Sequence, residues 1–152
     1  SQWKQQDYDA HLVETPAELK AFLTPLVDAG VDIFHCSTRR YWEKEFENSP
    51  VDGDLNLAGW TKKLTGKPVI TVGSVGLNTS FVGAEHGMEM SAQAGIEASS
   101  ITQLAERLGD GEFDLVAVGR ALIQDPEWVI KVRENRLEEL QDYSKESLMQ
   151  LV

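Results

Sequence analysis

Three short β-rich apolar runs, each entered from a helical stretch through a glycine-marked turn, constrain this chain more than any other feature. "VDIFHC" (31–36) follows Gly30, "PVITV" (68–72) follows Gly66, and "FDLVAV" (113–118) follows Gly109-Asp110-Gly111. Runs this short, bounded by glycine, fit buried strands better than helices. Helix, tight turn and strand in repeated order argue for parallel β/α units with right-handed crossovers.

The helices between them carry their own signals. Thr15-Pro16-Ala17-Glu18 combines an N-cap, a proline at the first helical position and a glutamate three residues after the cap. A helix is expected over residues 16–29, with Leu19, Phe22, Leu23 and Leu26 as its apolar stripe, Gly30 as its end and a kink or break at Pro25. Asn56 caps a second helix over 57–64 that ends at Gly66. Ser99 or Ser100 caps a third through Leu108, and Asp125-Pro126 opens a final one. The charged tail 137–152 is expected to be helical and peripheral. The segment 37–56 reads as a long loop and 77–98 as a glycine-punctuated stretch of weak pattern.

A chain of 152 residues is the size of one domain, yet three or four β/α units do not close an eight-stranded barrel, which takes about 250 residues. The units therefore form either a small open α/β sheet or the second half of a barrel. Ser1-Gln2-Trp3-Lys4 reads as the continuation of a longer chain, with a processed terminus as the alternative.

With 14 basic and 25 acidic residues the net charge is -11, which opposes non-specific binding to nucleic acid or anionic lipid. No apolar run approaches membrane-spanning length, so no membrane partner is expected and the cytoplasm is the expected location. Cys36 is the only cysteine, so neither an intrachain disulfide nor a multi-cysteine metal cluster can form. His11, His35 and His86 are not in metal-ligand spacing, and no metal is expected.

In parallel β/α proteins ligands bind at the carboxyl ends of the strands. Gly73-Ser74 follows the second run and Gly119-Arg120 the third. Backbone N–H groups free of side-chain bulk suit a phosphate, and Arg120 adds a charge-assisted contact. Each glycine alone can also be explained by crowding in a tight turn, and Arg120 by a structural pair with Asp125 or Glu127. His35 and Cys36 are read as packed residues. Arg39-Arg40-Tyr41-Trp42 either lines an entrance or nucleotide site, or is a surface loop with an anchoring tryptophan. Glu43-Lys44-Glu45 and Glu138-Glu139 read as solvated faces, and Met88 and Met90 as packing residues.

"FDLVAVGRALIQDPEWVIKVRENR" resembles the C-terminal signature of the Old Yellow Enzyme family of FMN-dependent NAD(P)H:flavin oxidoreductases and ene-reductases. "KPVITVGSVGL" and "AGVDIFHCSTRRYWE" resemble the family's two preceding strands, so the resemblance spans roughly residues 1–136. It implies the C-terminal part of a (β/α)8 TIM barrel, a single partial domain over 1–152, with FMN at the carboxyl-terminal mouth. Gly73 and Ser74 at strand seven, and Gly119 and Arg120 at strand eight, are then the cofactor-binding residues.

The family's flavin-ring contacts, its substrate-holding histidine pair and its proton-donating tyrosine have no counterpart here, so no catalytic residue is assigned. The expected function is transfer of hydride from NAD(P)H through flavin to an activated alkene or related acceptor, with this chain supplying the phosphate end only. A complementing N-terminal half or a second copy would complete it. The alternatives are a non-catalytic half-barrel that binds a phosphate-bearing ligand or self-associates, and a small α/β phosphate binder unrelated to flavin.

Overall fold

A computed structural model describes residues 3–4, 9–47, 49, 54–77 and 98–149. The segment 77–98, with His86, Met88 and Met90, lies outside the described residues apart from its two ends. The chain divides into two compact units, Ser1–Gly73 with Arg107–Ala117, and Ser74–Glu106 with Val118–Val152.

The first unit holds the sheet. Helix α1 (Pro16–Asp28) leads to strand β1 (Phe34–Ser37), helix α2 (Leu57–Thr65) to β2 (Val69–Val72), and a turn at Gly111 to β3 (Leu115–Val116). The order is β1-β2-β3 and both pairings are parallel, with Phe34 opposite Val69, Ser37 opposite Val72 and Thr71 opposite Val116. The fold is therefore α/β, an open three-stranded parallel sheet flanked by helices, as a half-barrel requires. Leu19 and Leu23 of α1, Leu57, Ala58 and Trp60 of α2, and Cys36, Val69 and Phe113 form its core.

The local reasons are those the sequence supplies. Thr15 Oγ1 accepts from the Glu18 N–H at 3.2 Å, and Asn56 Oδ1 accepts from the Gly59 N–H at 2.9 Å. Gly66 closes α2 in the left-handed conformation at φ 68°. Pro25 does not break α1, because it sits on the exposed face, where the Ala21 carbonyl left without its N–H partner is open to water. The expected stripe is only half buried: Phe22 is 47% and Leu26 39% exposed.

The strands are shorter than the apolar runs. Only Leu115 and Val116 pair as strand in the third run, yet the ladder extends beyond them. The Asp114 N–H donates to the Val69 carbonyl at 3.1 Å and the Ala117 N–H to that of Thr71 at 2.9 Å.

The second unit carries the remaining elements. Helix α3 (Ala98–Gly109) crosses from this unit into the first and buries Ile101 and Leu104. It starts at Ala98, upstream of the expected start at Ser99 or Ser100. In place of one final helix there are two, α4 (Arg120–Gln124) and α5 (Trp128–Arg133). Asp125 turns the chain between them: its Oδ1 accepts from the Glu127 N–H at 3.1 Å and its Oδ2 pairs with Lys131 at 2.7 Å. The tail is helical only as two 3-10 turns, Leu137–Glu139 and Lys145–Met149, because its bonds span single turns. No helix among the described residues is long and apolar enough to cross a membrane.

Candidate functional site at the strand ends

Thr71 and Val116 are register partners, and Gly73 and Gly119 follow them by two and three residues. Both glycine-bearing segments therefore leave the sheet from its carboxyl end. Gly73 belongs to the first unit, whereas Ser74, Gly119 and Arg120 belong to the second.

Gly73 has φ +154°, and a Cβ there would lie 2.8 Å from both the carbonyl oxygen and Oγ1 of Thr38 and 3.0 Å from the Tyr41 nitrogen. The loop after β1 is the cause. The Thr38 N–H donates to the Val72 carbonyl at 3.0 Å, and the Tyr41 N–H to the Gly73 carbonyl at 3.0 Å. Close approach of two backbones thus accounts for this glycine, independently of any ligand.

That loop is anchored by Tyr41, 1% exposed, rather than by Trp42, which is half-buried with its ring edge-on to Tyr41 at 5.1 Å. Burial pushes the Tyr41 phenol up to about 12, while Arg107 acts in the opposite sense. Arg40 stands 5.8 Å from the Trp42 ring and 3.8 Å from Glu43.

Beneath the loop lies a polar network that sequence reasoning recognised only as a helix cap. Asn56 donates from Nδ2 to the Tyr41 carbonyl at 2.7 Å and to Thr71 Oγ1 at 3.1 Å. The Asn56 N–H donates to Glu112 Oε1 at 2.9 Å. Glu112 is held by Arg107 through two bonds, Nε to Oε2 at 2.5 Å and Nη2 to Oε1 at 2.6 Å. No spacing rule links residues 41, 56, 71, 107 and 112, because only the fold brings them together.

Two further expectations change. Glu45 is not part of a solvated face but 4% exposed, accepting from Trp3 Nε1 at 3.0 Å and pairing with Lys4 at 3.0 Å. Buried ionised carboxylates need such partners. Of the pair ending β1, Cys36 is packed as expected, and burial raises its thiol pKa. His35 is exposed, with Nδ1 3.5 Å from Ser37 Oγ, since alternation along β1 turns it away from the core.

In the second unit Ser74 adopts φ 51° and Gly76 φ 65°. A left-handed serine costs about 1 kcal/mol or more. The Leu77 N–H donates to the Ser74 carbonyl at 3.2 Å, which closes the turn. A Cβ at Gly76 would lie 2.9 Å from Nε1 of Trp128, so this turn packs directly on the buried indole. The indole nitrogen is buried without a hydrogen-bond acceptor among the described residues.

Gly119 differs from Gly73. It is exposed, with φ -110° and ψ -98°, and among the described residues nothing lies within 4 Å of a Cβ built on it. Arg120 follows, half-buried, with Cζ 5.5 Å from the centre of the Tyr143 ring. Burial lowers its pKa from the ordinary value while Tyr143 acts in the opposite sense, and a guanidinium remains protonated throughout. Asp125 is engaged by Lys131 at 2.7 Å.

No protein-family model matches the chain. It is 30% identical over 131 residues to an NADH oxidase from Thermoanaerobacter brockii, an alignment that takes in 83% of this chain and 16% of that protein. The chain thus spans about one sixth of the length of the relative it matches, and over that sixth it is similar to an NADH oxidase.

Proposed function

We propose that this chain is the cofactor-phosphate end of an FMN-dependent oxidoreductase of Old Yellow Enzyme type, working in the cytoplasm as part of a (β/α)8 barrel. The observation that carries the proposal is the parallel β2–β3 register, which sends the glycine-bearing segments at Gly73 and Gly119 out of the same end of the sheet. The likeness to an NADH oxidase supports an oxidoreductase that takes electrons from NADH.

The residues fit a phosphate. Among the described residues nothing crowds Gly119 against the close approach of an anion, and Arg120 supplies a fixed positive charge and planar donors. Ser74 contributes a backbone N–H on the β2 side, while Gly73 serves the close approach of the β1 loop. Bound FMN supplies the hydride chemistry between NAD(P)H and an activated alkene or related acceptor. The chain's own share is to hold the phosphate and orient the cofactor, while the groups that position the acceptor belong to a complementing N-terminal half.

A second reading has an observation in its favour. β1 ends the sheet among the described residues, and Leu12, Phe22, Leu26 and Ile33 are 39–52% exposed. Such an edge favours pairing, so the chain alone is a non-catalytic half-barrel that binds a phosphate-bearing ligand or self-associates.

Fluorescence titration of the purified chain with FMN and with riboflavin, alongside its mass in solution, tests both. The expected result is weak binding of FMN, none of riboflavin, loss of FMN binding in Arg120→Ala and no NADH turnover. Equal binding of FMN and riboflavin would sink the phosphate assignment. Tight flavin binding by a monomer would overturn the partial-barrel reading.

A further inference from the structure

The tail does more than lie on the surface. Gln124, the last residue of α4, gathers it: Oε1 accepts from the Ser144 N–H at 3.0 Å and from the Ser147 hydroxyl, and Nε2 donates to Gln141 Oε1 at 3.3 Å. The start of the tail is fixed separately, since Lys131 Nζ donates to the Glu139 carbonyl at 3.4 Å and Arg136 pairs with Glu139 at 2.7 Å. Gln124 stands four residues after Arg120 on the same helix, so the two side chains share one face, a single turn apart. Clamping residues 141, 144 and 147 to Gln124 therefore lays residue 143 over Arg120. The Tyr143 ring is found there, 5.5 Å from the guanidinium carbon and half-buried.

We propose that Tyr143 is a positioning residue for Arg120, holding the guanidinium by its ring face so that the donors stay directed for a phosphate. The assignment of the phosphate rests on the cofactor reading above, whereas the ordering of Arg120 by Tyr143 does not. A ring face fixes the plane of a guanidinium without consuming an N–H donor. The phenol oxygen is not needed for this. Phenylalanine should replace Tyr143, and leucine should not.

The test uses the whole chain with the variants Tyr143→Phe, Tyr143→Leu, Gln124→Ala and Arg120→Ala. The first readout is the Arg120 side-chain Nε–H resonance by NMR, without ligand. The ring should displace it from the other arginines; the displacement should persist in Tyr143→Phe, vanish in Tyr143→Leu and shrink in Gln124→Ala. The second is FMN affinity, expected to fall about threefold to tenfold in Tyr143→Leu, to be unchanged in Tyr143→Phe, and to fall no further when Tyr143→Leu is added to Arg120→Ala.

An undisplaced Arg120 signal in the wild type, or equal FMN affinity of the wild type and Tyr143→Leu, overturns the assignment. A displaced signal in a chain that binds no FMN supports the ordering of Arg120 and sinks the cofactor reading instead, so the two failures are told apart.

Discussion

The two strand-end glycines look alike in sequence and stand in opposite surroundings. Gly73 is sealed by the Thr38–Tyr41 loop, which leaves no room for even a methyl group, while no described residue comes within 4 Å of a Cβ at Gly119. Beneath Gly73 the Asn56–Glu112–Arg107 network leaves little slack, whereas Arg120 beside Gly119 lies against a ring from a tail of single turns. The contrast teaches that a glycine after a β-strand can answer to the backbone or to a ligand. Room for a Cβ is what distinguishes them.

The comparison breaks most readily at the network. Glu112→Ala removes both bonds to Arg107 and leaves the Asn56 N–H without its carboxylate, so a loss of about 3 kcal/mol is expected in urea unfolding; a loss below 1 kcal/mol would show that water replaces the carboxylate. Next comes Gly73→Ala, which places a methyl against the Thr38 carbonyl at a positive φ and should cost about 2 kcal/mol. Gly119→Ala is its counterpart, expected to cost less than Gly73→Ala because no described residue lies within 4 Å of the added methyl, while weakening FMN binding. If both alanines destabilise equally, the distinction between the two sites fails.

The smallest expected effect is a pH dependence in the first unit. Asp114 Oδ2 accepts from the Val69 N–H at 2.9 Å and Oδ1 pairs with Lys62 at 2.8 Å. The bond to Lys62, and then that to Val69, lower its pKa from 3.8. A depressed folded pKa means that the stabilisation is full above 3.8 and is lost as pH falls through the lower, folded value. The carboxylate is more than a third exposed, so the effect should stay below about 1 kcal/mol. Melting of the wild type and Asp114→Asn should therefore differ at pH 6 and converge towards pH 2; a gap that persists there would assign the difference to packing.

Much of the fold was legible because its signals are local. Thr15 and Pro16, and Asn56 with Gly66, set helix ends through residues three or four apart, and glycine-bounded apolar runs marked all three strands. What could not be read depends on partners remote in sequence. Glu45 looks solvated until Trp3 and Lys4 reach it, and His35 looks packed until the strand pairs and turns it outward. The candidate site divides in the same way. Gly73 and Gly119 could be found by their place after strands, but only the fold distinguishes one from the other, and only the tail's mooring on Gln124 brings Tyr143 to Arg120.

The Asn56 network also bears on the order in which the chain is made. Residues 41, 56 and 71 leave the ribosome well before Arg107 and Glu112, and β3 comes later still. Until then the β2 side that takes β3 is open to another strand, and the Asn56 N–H lacks its carboxylate, so the network is incomplete. Its completion waits on a segment more than thirty residues downstream of β2.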